Sequence, residues 1–100
     1  MKVNWRKSAI DSLLELDQWR ETIELPKVAP YLKNIIQTYF EEQRLSIHLP
    51  GRPVYIQQEQ VDLRMVLIAL GKSDPYKVFY REGEEAIEIY LIRHPRQKPI

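Results

Sequence analysis

The first stretch of the chain has the pattern of a short strand followed by an amphipathic helix. Residues 2–6 alternate polar and apolar side chains, as a strand does. Residues 9–16 then repeat apolar positions every three or four residues, and most polar side chains fall on the other side. Ser8 and Asp11 have the spacing of an N-terminal capping box, which predicts that the helix begins at Ser8.

A second helix is predicted soon after the first. Pro26 forbids continuation of the first helix, whereas Pro30 suits the first turn of the next. The apolar residues that follow have the i, i+3, i+4, i+7, i+8 spacing of one helix face: Leu32, Ile35, Ile36, Tyr39 and Phe40. Because the interval between the helices is short, they are expected to form an antiparallel helical hairpin.

The second half of the chain predicts three strands. After a loop at residues 49–53 and an ambiguous stretch at 54–60, strands are expected at 61–68, 76–81 and 86–93. The middle of the last strand is apolar at consecutive positions, which favours an interior place in a sheet. The order strand, helix, helix, strand, strand, strand predicts a single α+β domain over residues 1–100, with a helical hairpin on one face of a mostly antiparallel four-stranded sheet.

Strict alternation along these strands would sort their side chains into two faces. In residues 86–93 it groups Glu88 with Tyr90 and Ile92, and it places Leu91 and Arg93 on the opposite side. The cations presented by the three strands are Arg64, Arg81 and Arg93. The register between the strands decides whether these arginines share a face, and the sequence leaves it open.

Composition excludes several kinds of site. The formal net charge is +1, so any nucleic-acid role has to depend on local clusters. The chain has no cysteine, and its two histidines lack the spacing of a metal site. We therefore expect no metal and no cofactor. No apolar run approaches the ~20 residues of a membrane span, and the composition favours a cytoplasmic protein without membrane partners.

The cations near the end of the chain have two functional interpretations. Arginines on a rigid sheet can hold phosphates, and His94 beside them could transfer protons, which together are the parts of a metal-free ribonuclease. The same end could instead bind an acidic partner through Arg93, His94, Arg96 and Lys98. The simpler alternative is that these residues are solvated, with Arg81 neutralised by a glutamate close in sequence: Glu82, Glu84, Glu85 or Glu88.

Residues 61–99 resemble the RelE/ParE superfamily of bacterial toxins. The quoted segment is VDLRMVLIALGKSDPYKVFYREGEEAIEIYLIRHPRQKP. Its matching features are Leu63-Arg64, the strand from Tyr76 to Arg81, and an ending similar to the I-x-I-x-x-I-x-H finish of ParE-like members. The opening strand and first helix also look like those of the family.

This resemblance implies a toxin of a type II toxin–antitoxin module, of the plasmid-stabilisation type, held inactive by a cognate antitoxin in a hetero-oligomer. RelE-like members cleave mRNA at the ribosome, whereas ParE-like members act on DNA gyrase. By resemblance, Arg64, Arg81, Arg93 and His94 fall near functional positions, and they would be catalytic only in a ribonuclease.

The sequence departs from the ribonuclease pattern in two ways. Ribosome-dependent members tend to be strongly basic, whereas this chain is nearly neutral. Many of them also end with a functional tyrosine, and no aromatic residue follows His94 here. These departures favour the ParE-like branch. The mRNA endoribonuclease remains the alternative, and a member that only binds an antitoxin is a further one.

Overall fold

The structure is a computed structural model that describes residues 2–42, 52–56, 59–71, 74–83 and 85–97, with backbone alone at 52–56 and 59–62. The elements of the described chain are β1 Lys2–Trp5, α1 Lys7–Thr22, α2 Ala29–Glu42, β2 Arg52–Ile56, β3 Glu59–Ile68, β4 Tyr76–Glu82 and β5 Ala86–Arg93.

These strands form one sheet in the order β1-β5-β4-β3-β2. The β1–β5 pair is parallel, and the other three pairs are antiparallel. The predicted α+β layout is confirmed, and β5 has the expected interior place. The ambiguous stretch adds a fifth strand, β2, at the edge. Its Pro53 is compatible with an edge strand, where a missing N–H costs no ladder bond.

The main core lies between the two helices and one face of the sheet. Leu13 and Leu16 of α1 and Ile36 and Phe40 of α2 are at most 3% exposed in this core. The sheet supplies the other side, with these buried residues: Val66, Ile68, Tyr76, Val78, Tyr80, Ile87, Ile89 and Ile92. Both helices therefore cover the same face, which we call the helix face.

Asp17 stabilises the short connection between the two helices. Its buried carboxylate accepts hydrogen bonds from the backbone N–H groups of Val28 at 2.7 Å and Ala29 at 3.2 Å. These N–H groups lie at the start of α2, where a helix lacks internal acceptors and favours negative charge. The first helix thus caps the second.

The predicted capping box is wrong, because α1 begins at Lys7 and has no side-chain cap. The Ser8 hydroxyl instead donates to the carbonyl of Tyr90 at 2.7 Å, and the Ser12 hydroxyl accepts from the N–H of Ile92 at 3.0 Å. β1 pairs with β5 only as far as Ile89. Beyond that residue, the two serines of α1 satisfy backbone groups on that side of β5.

A β-bulge in β5 changes which side chains reach each face. Phe79 pairs with Leu91 and Tyr80 pairs with Ile89, so Tyr90 is the extra residue. Ile92 consequently joins the helix-face core, and Tyr90 and Leu91 both pack against a second cluster on the other side. The prediction of strict alternation along this strand is correct for Glu88 and Tyr90, which share a face, and is wrong from Leu91 onward.

Within the described residues, neither helix combines the length and the apolar character that a bilayer crossing requires.

Candidate functional site

The candidate site is the side of the sheet that faces away from α1 and α2, which we call the open face. Its membership follows from the strand registers and from the residues that pack in the second cluster. The described side chains on this face are Lys2, Asn4, Leu63, Met65, Leu67, Lys77, Phe79, Arg81, Ala86, Glu88, Tyr90, Leu91 and Arg93, with Arg6 beside them.

The open face is strongly basic although the chain is nearly neutral. Among its described side chains, five cations stand against one acid, a net charge of +4, whereas the whole chain has a net charge of +1. The cations are Lys2, Arg6, Lys77, Arg81 and Arg93, and the acid is Glu88. Strand alternation gathers these charges on one surface, since it directs the apolar residues between them to the core.

Arg6, Arg81, Glu88 and Tyr90 form a compact cluster at one end of this face. Arg81 Nε donates to Glu88 Oε2 at 2.5 Å, and Arg6 Nη1 lies 3.5 Å from Glu88 Oε1. The guanidinium carbons of Arg6 and Arg81 lie 5.2 and 5.8 Å from the centre of the Tyr90 ring. We call this group the arginine cluster.

The hydrogen bond between Arg81 and Glu88 favours the charged forms of both residues, and the arginine cluster as a whole is positively charged. The hydrogen bond from Arg81 lowers the pKa of the Glu88 carboxyl, and the same bond raises the pKa of Arg81. One carboxylate cannot neutralise two guanidinium groups. The cluster can therefore attract a further anion from solution or from a partner.

An apolar strip crosses the middle of the open face. Met65 pairs across the strands with Phe79, which pairs with Leu91. Met65 and Phe79 are buried, Leu91 is partly buried, and the neighbouring Leu67 is 53% exposed. Pairing of Lys77 with Arg93 sets two cations on one side of this strip, and the arginine cluster lies on the other side. The face thus combines an apolar centre with cationic borders.

Arg64 does not share this face with Arg81 and Arg93. It pairs with Tyr80 across the β3–β4 ladder and lies on the helix face, where Arg64 also hydrogen-bonds the Tyr80 hydroxyl. Burial is the main cause that raises the pKa of Tyr80 to about 12, so the phenol stays neutral. The register, which the sequence left open, therefore separates the three arginines.

His94 is also turned toward the helix side and is only 8% exposed. Its ring centre lies 5.1 Å from that of Trp19 and 5.2 Å from that of Tyr76. Its Nδ1 accepts a hydrogen bond from the backbone N–H of Arg96 at 3.0 Å. Burial, followed by the charge of Arg96, lowers the pKa of His94. These contacts are those of a neutral, structural histidine.

The structure also divides the predicted partner-binding tail. Arg93 lies on the open face, whereas Arg96 is exposed over the Trp19 ring, 5.8 Å from its centre, and His94 is buried beside it. Lys98 lies outside the described residues. Of the predicted set, Arg93 alone is shown among the cations of the open face.

Sequence reasoning missed Arg6, Lys77 and Tyr90 as members of the site. The alternation Lys2-Val3-Asn4-Trp5-Arg6 contained a signal for Arg6, since it aligns Arg6 with Lys2 and Asn4. The parallel pairing that brings this strand beside Glu88 joins distant parts of the chain. The alternation that groups Tyr90 with Glu88 also contained a signal for Tyr90. The alternative that a glutamate close in sequence neutralises Arg81 is confirmed, and the structure identifies that glutamate as Glu88.

No group of three His, Asp or Glu side chains in the described part of the chain is arranged to hold a metal ion. Comparisons of this protein with protein-family models, with curated proteins and with solved structures find no match.

Proposed function

We propose that this protein is a RelE/ParE-like toxin of a type II toxin–antitoxin module that arrests growth by binding an essential protein such as DNA gyrase. In this proposal it acts in the cytoplasm, and a cognate antitoxin neutralises it in a hetero-oligomer. The proposal rests on the sequence resemblance, and it agrees with the α+β layout of a helical hairpin on one side of a sheet.

We favour a protein target because the residues that a ribonuclease would need together lie apart. Arg81 and Arg93 lie on the open face, Arg64 lies on the helix face, and His94 packs under Trp19 and Tyr76. A general acid or base must come within hydrogen-bond reach of the proton that it transfers. A buried histidine on one side of a sheet does not meet this condition for a phosphate held on the other.

The open face has the features of a protein-binding surface instead. Protein interfaces combine an apolar centre with a polar or charged rim, and arginine and aromatic residues are enriched among their strongest contacts. The exposed Leu67 and the partly buried Leu91 would supply the centre, above the buried Met65 and Phe79, and Arg81 and Arg93 would belong to the rim. This arrangement favours a binding toxin over a nuclease.

Controlled expression in a bacterial host tests the proposal. We expect growth arrest, relief of that arrest by the antitoxin, and inhibition of gyrase supercoiling by the purified protein. Primer extension on cellular messages should show no new 5′ ends. A purified protein that leaves gyrase fully active at excess would contradict the gyrase target.

The two alternatives give different results in the same experiment. New 5′ ends that disappear in a His94→Ala variant would support the mRNA endoribonuclease. Expression without growth arrest would support a family member that only binds an antitoxin. A small neighbouring reading frame for a DNA-binding antitoxin would support the toxin–antitoxin class in every case.

A further inference from the structure

The carboxylate of Glu88 already occupies part of the arginine cluster. Glu88 accepts one hydrogen bond from Arg81 and one from Arg6, and the Arg6 contact is long at 3.5 Å. Each guanidinium carries five N–H donors, so the cluster can bind more than this one carboxylate. The Arg6 and Arg81 side chains are 51% and 41% exposed, and a ligand from solution can therefore reach both.

We propose that Arg6 and Arg81, stacked on Tyr90, form a binding site for a carboxylate of an acidic partner helix, and that Glu88 is its internal competitor. This inference rests on the proposed function, because it states how the protein-binding face recognises its partner. The partner's carboxylate would take the guanidinium donors that Glu88 engages in the free protein, and Glu88 would return to them on dissociation.

Charge supports a partner that is acidic. The described side chains of the open face have a net charge of +4, and complementary charge across an interface raises association rates and fixes register. The apolar side chains of this face that stay accessible, the exposed Leu67 and the partly buried Leu91, support a protein over a nucleic acid. A phosphate backbone would cover these side chains without apolar contacts, whereas leucine-like side chains would bury them.

Backbone hydrogen bonding supports a helical partner. The strands β3, β4 and β5 lie inside the sheet, and their ladders already use backbone groups on both sides. An extended segment lying across the face would find no ladder to join, whereas a helix satisfies its own backbone. An acidic amphipathic helix is thus the occupant that this surface fits.

The spacing of the cations predicts the spacing of the acids. Lys77 and Arg81 are four residues apart on β4, with Phe79 between them. At ~3.3 Å per strand residue the interval is about 13 Å. A helix rises ~1.5 Å per residue, so it would place two carboxylates about eight residues apart, with apolar residues between them.

A binding titration with defined probes tests the inference on the full chain. The first probe is a labelled helical peptide with glutamates about eight residues apart and leucines between them. Its control replaces both glutamates by glutamine, and the third probe is a labelled oligouridylate. We expect the acidic peptide to bind, the glutamine peptide to bind more weakly, and affinity to fall as salt rises.

Variants then locate the binding on the cluster. Arg6→Gln and Arg81→Gln should each weaken the acidic peptide about fivefold, as expected for partly exposed charge pairs. Glu88→Gln should tighten it by a similar factor, because the competitor is removed. The matched control is Lys27→Gln, which removes an equal charge from an ion pair with Glu21 outside the open face and should leave affinity unchanged.

Three other outcomes would contradict the inference. Equal losses in Arg81→Gln and Lys27→Gln would indicate a response to net charge alone. Weaker binding in a folded Glu88→Gln variant would make Glu88 part of the site and not its competitor. Binding of the oligouridylate in preference to the acidic peptide would indicate a nucleic-acid surface.

Growth arrest measured in parallel separates this inference from the proposed function. If wild-type protein arrests growth and inhibits gyrase while the cluster variants bind the peptide normally, the toxin proposal stands and the carboxylate site fails. If the protein neither arrests growth nor affects gyrase but shows the predicted pattern of affinities, the site stands and the toxin proposal fails.

Discussion

The two faces of the sheet use the same strands for different purposes. The helix face buries a continuous apolar core beneath α1 and α2, and buried polar groups there, such as Ser12 and Asp17, accept or donate backbone hydrogen bonds. The open face has a smaller apolar cluster, of Leu63, Met65 and Phe79, with cations at its borders. The buried apolar contacts that stabilise the fold are therefore concentrated on one side of the sheet, and the exposed cations on the other.

Alanine substitutions at two positions of β5 test this contrast, and one of them should have the largest effect on the free energy of unfolding. Ile89 is fully buried on the helix face, and Ile89→Ala should lower the free energy of unfolding by about 3 kcal/mol. Leu91→Ala, on the partly buried open face, should cost about 1 kcal/mol. Denaturant titrations of both variants measure the difference. Equal losses would contradict the division between the faces.

Removal of the Asp17 carboxylate should have the second-largest effect on the free energy of unfolding. Asp17→Ala leaves the N–H groups of Val28 and Ala29 without their acceptor at the start of α2, which should cost about 2 kcal/mol. The exposed Asp11, paired with Lys7, provides the control. Asp11→Ala should have a much smaller effect on unfolding, because exposed pairs contribute little. A similar cost for both variants would argue against the capping role.

The buried His94 predicts a pH dependence of stability. Because burial lowers its pKa in the folded protein, the unfolded chain binds a proton first as pH falls below the ordinary histidine value. Stability from this group should therefore be complete above about pH 7 and decline below about pH 6.5.

Thermal unfolding of wild type and His94→Asn across this range measures the effect. The variant should show a flatter dependence, since the asparagine oxygen can accept the Arg96 N–H without titrating. Below about pH 4.5, loss of the Glu88 charge should destabilise both proteins, because the pKa of Glu88 is lowered in the folded state. Parallel curves in the upper range would contradict the assignment to His94.

Arg81→Gln should have the smallest effect on stability. Its guanidinium is partly exposed and pairs with a single carboxylate on the open face, so the midpoint of thermal unfolding should remain close to that of wild type. The same substitution is expected to weaken acidic-peptide binding. A large loss of stability would show that the arginine cluster holds the fold together and would weaken its separation from the core.

The local sequence pattern predicted both helices and four of the strands, but it predicted only some residues of the candidate site. Apolar spacing placed α2, and alternation identified Val78 and Tyr80 as sharing a face. The edge strand β2 escaped prediction because its sequence, with Arg52 and Pro53, lacks a clear alternating pattern. The arginines were found by residue type, yet neither their division between faces nor the burial of His94 could be read without register.

The period of each element could be read from the sequence alone, because side-chain spacing in a helix or strand is a local property of the backbone. The tertiary structure decided how distant segments meet. It set the parallel pairing that brings Arg6 beside Glu88, the register that turns Arg64 away from Arg81, and the bulge that puts Leu91 on the open face and Ile92 in the core. These features depend on contacts between distant residues, such as Arg6 and Glu88, which lie 82 positions apart in the chain. Local periodicity contains no information about such contacts.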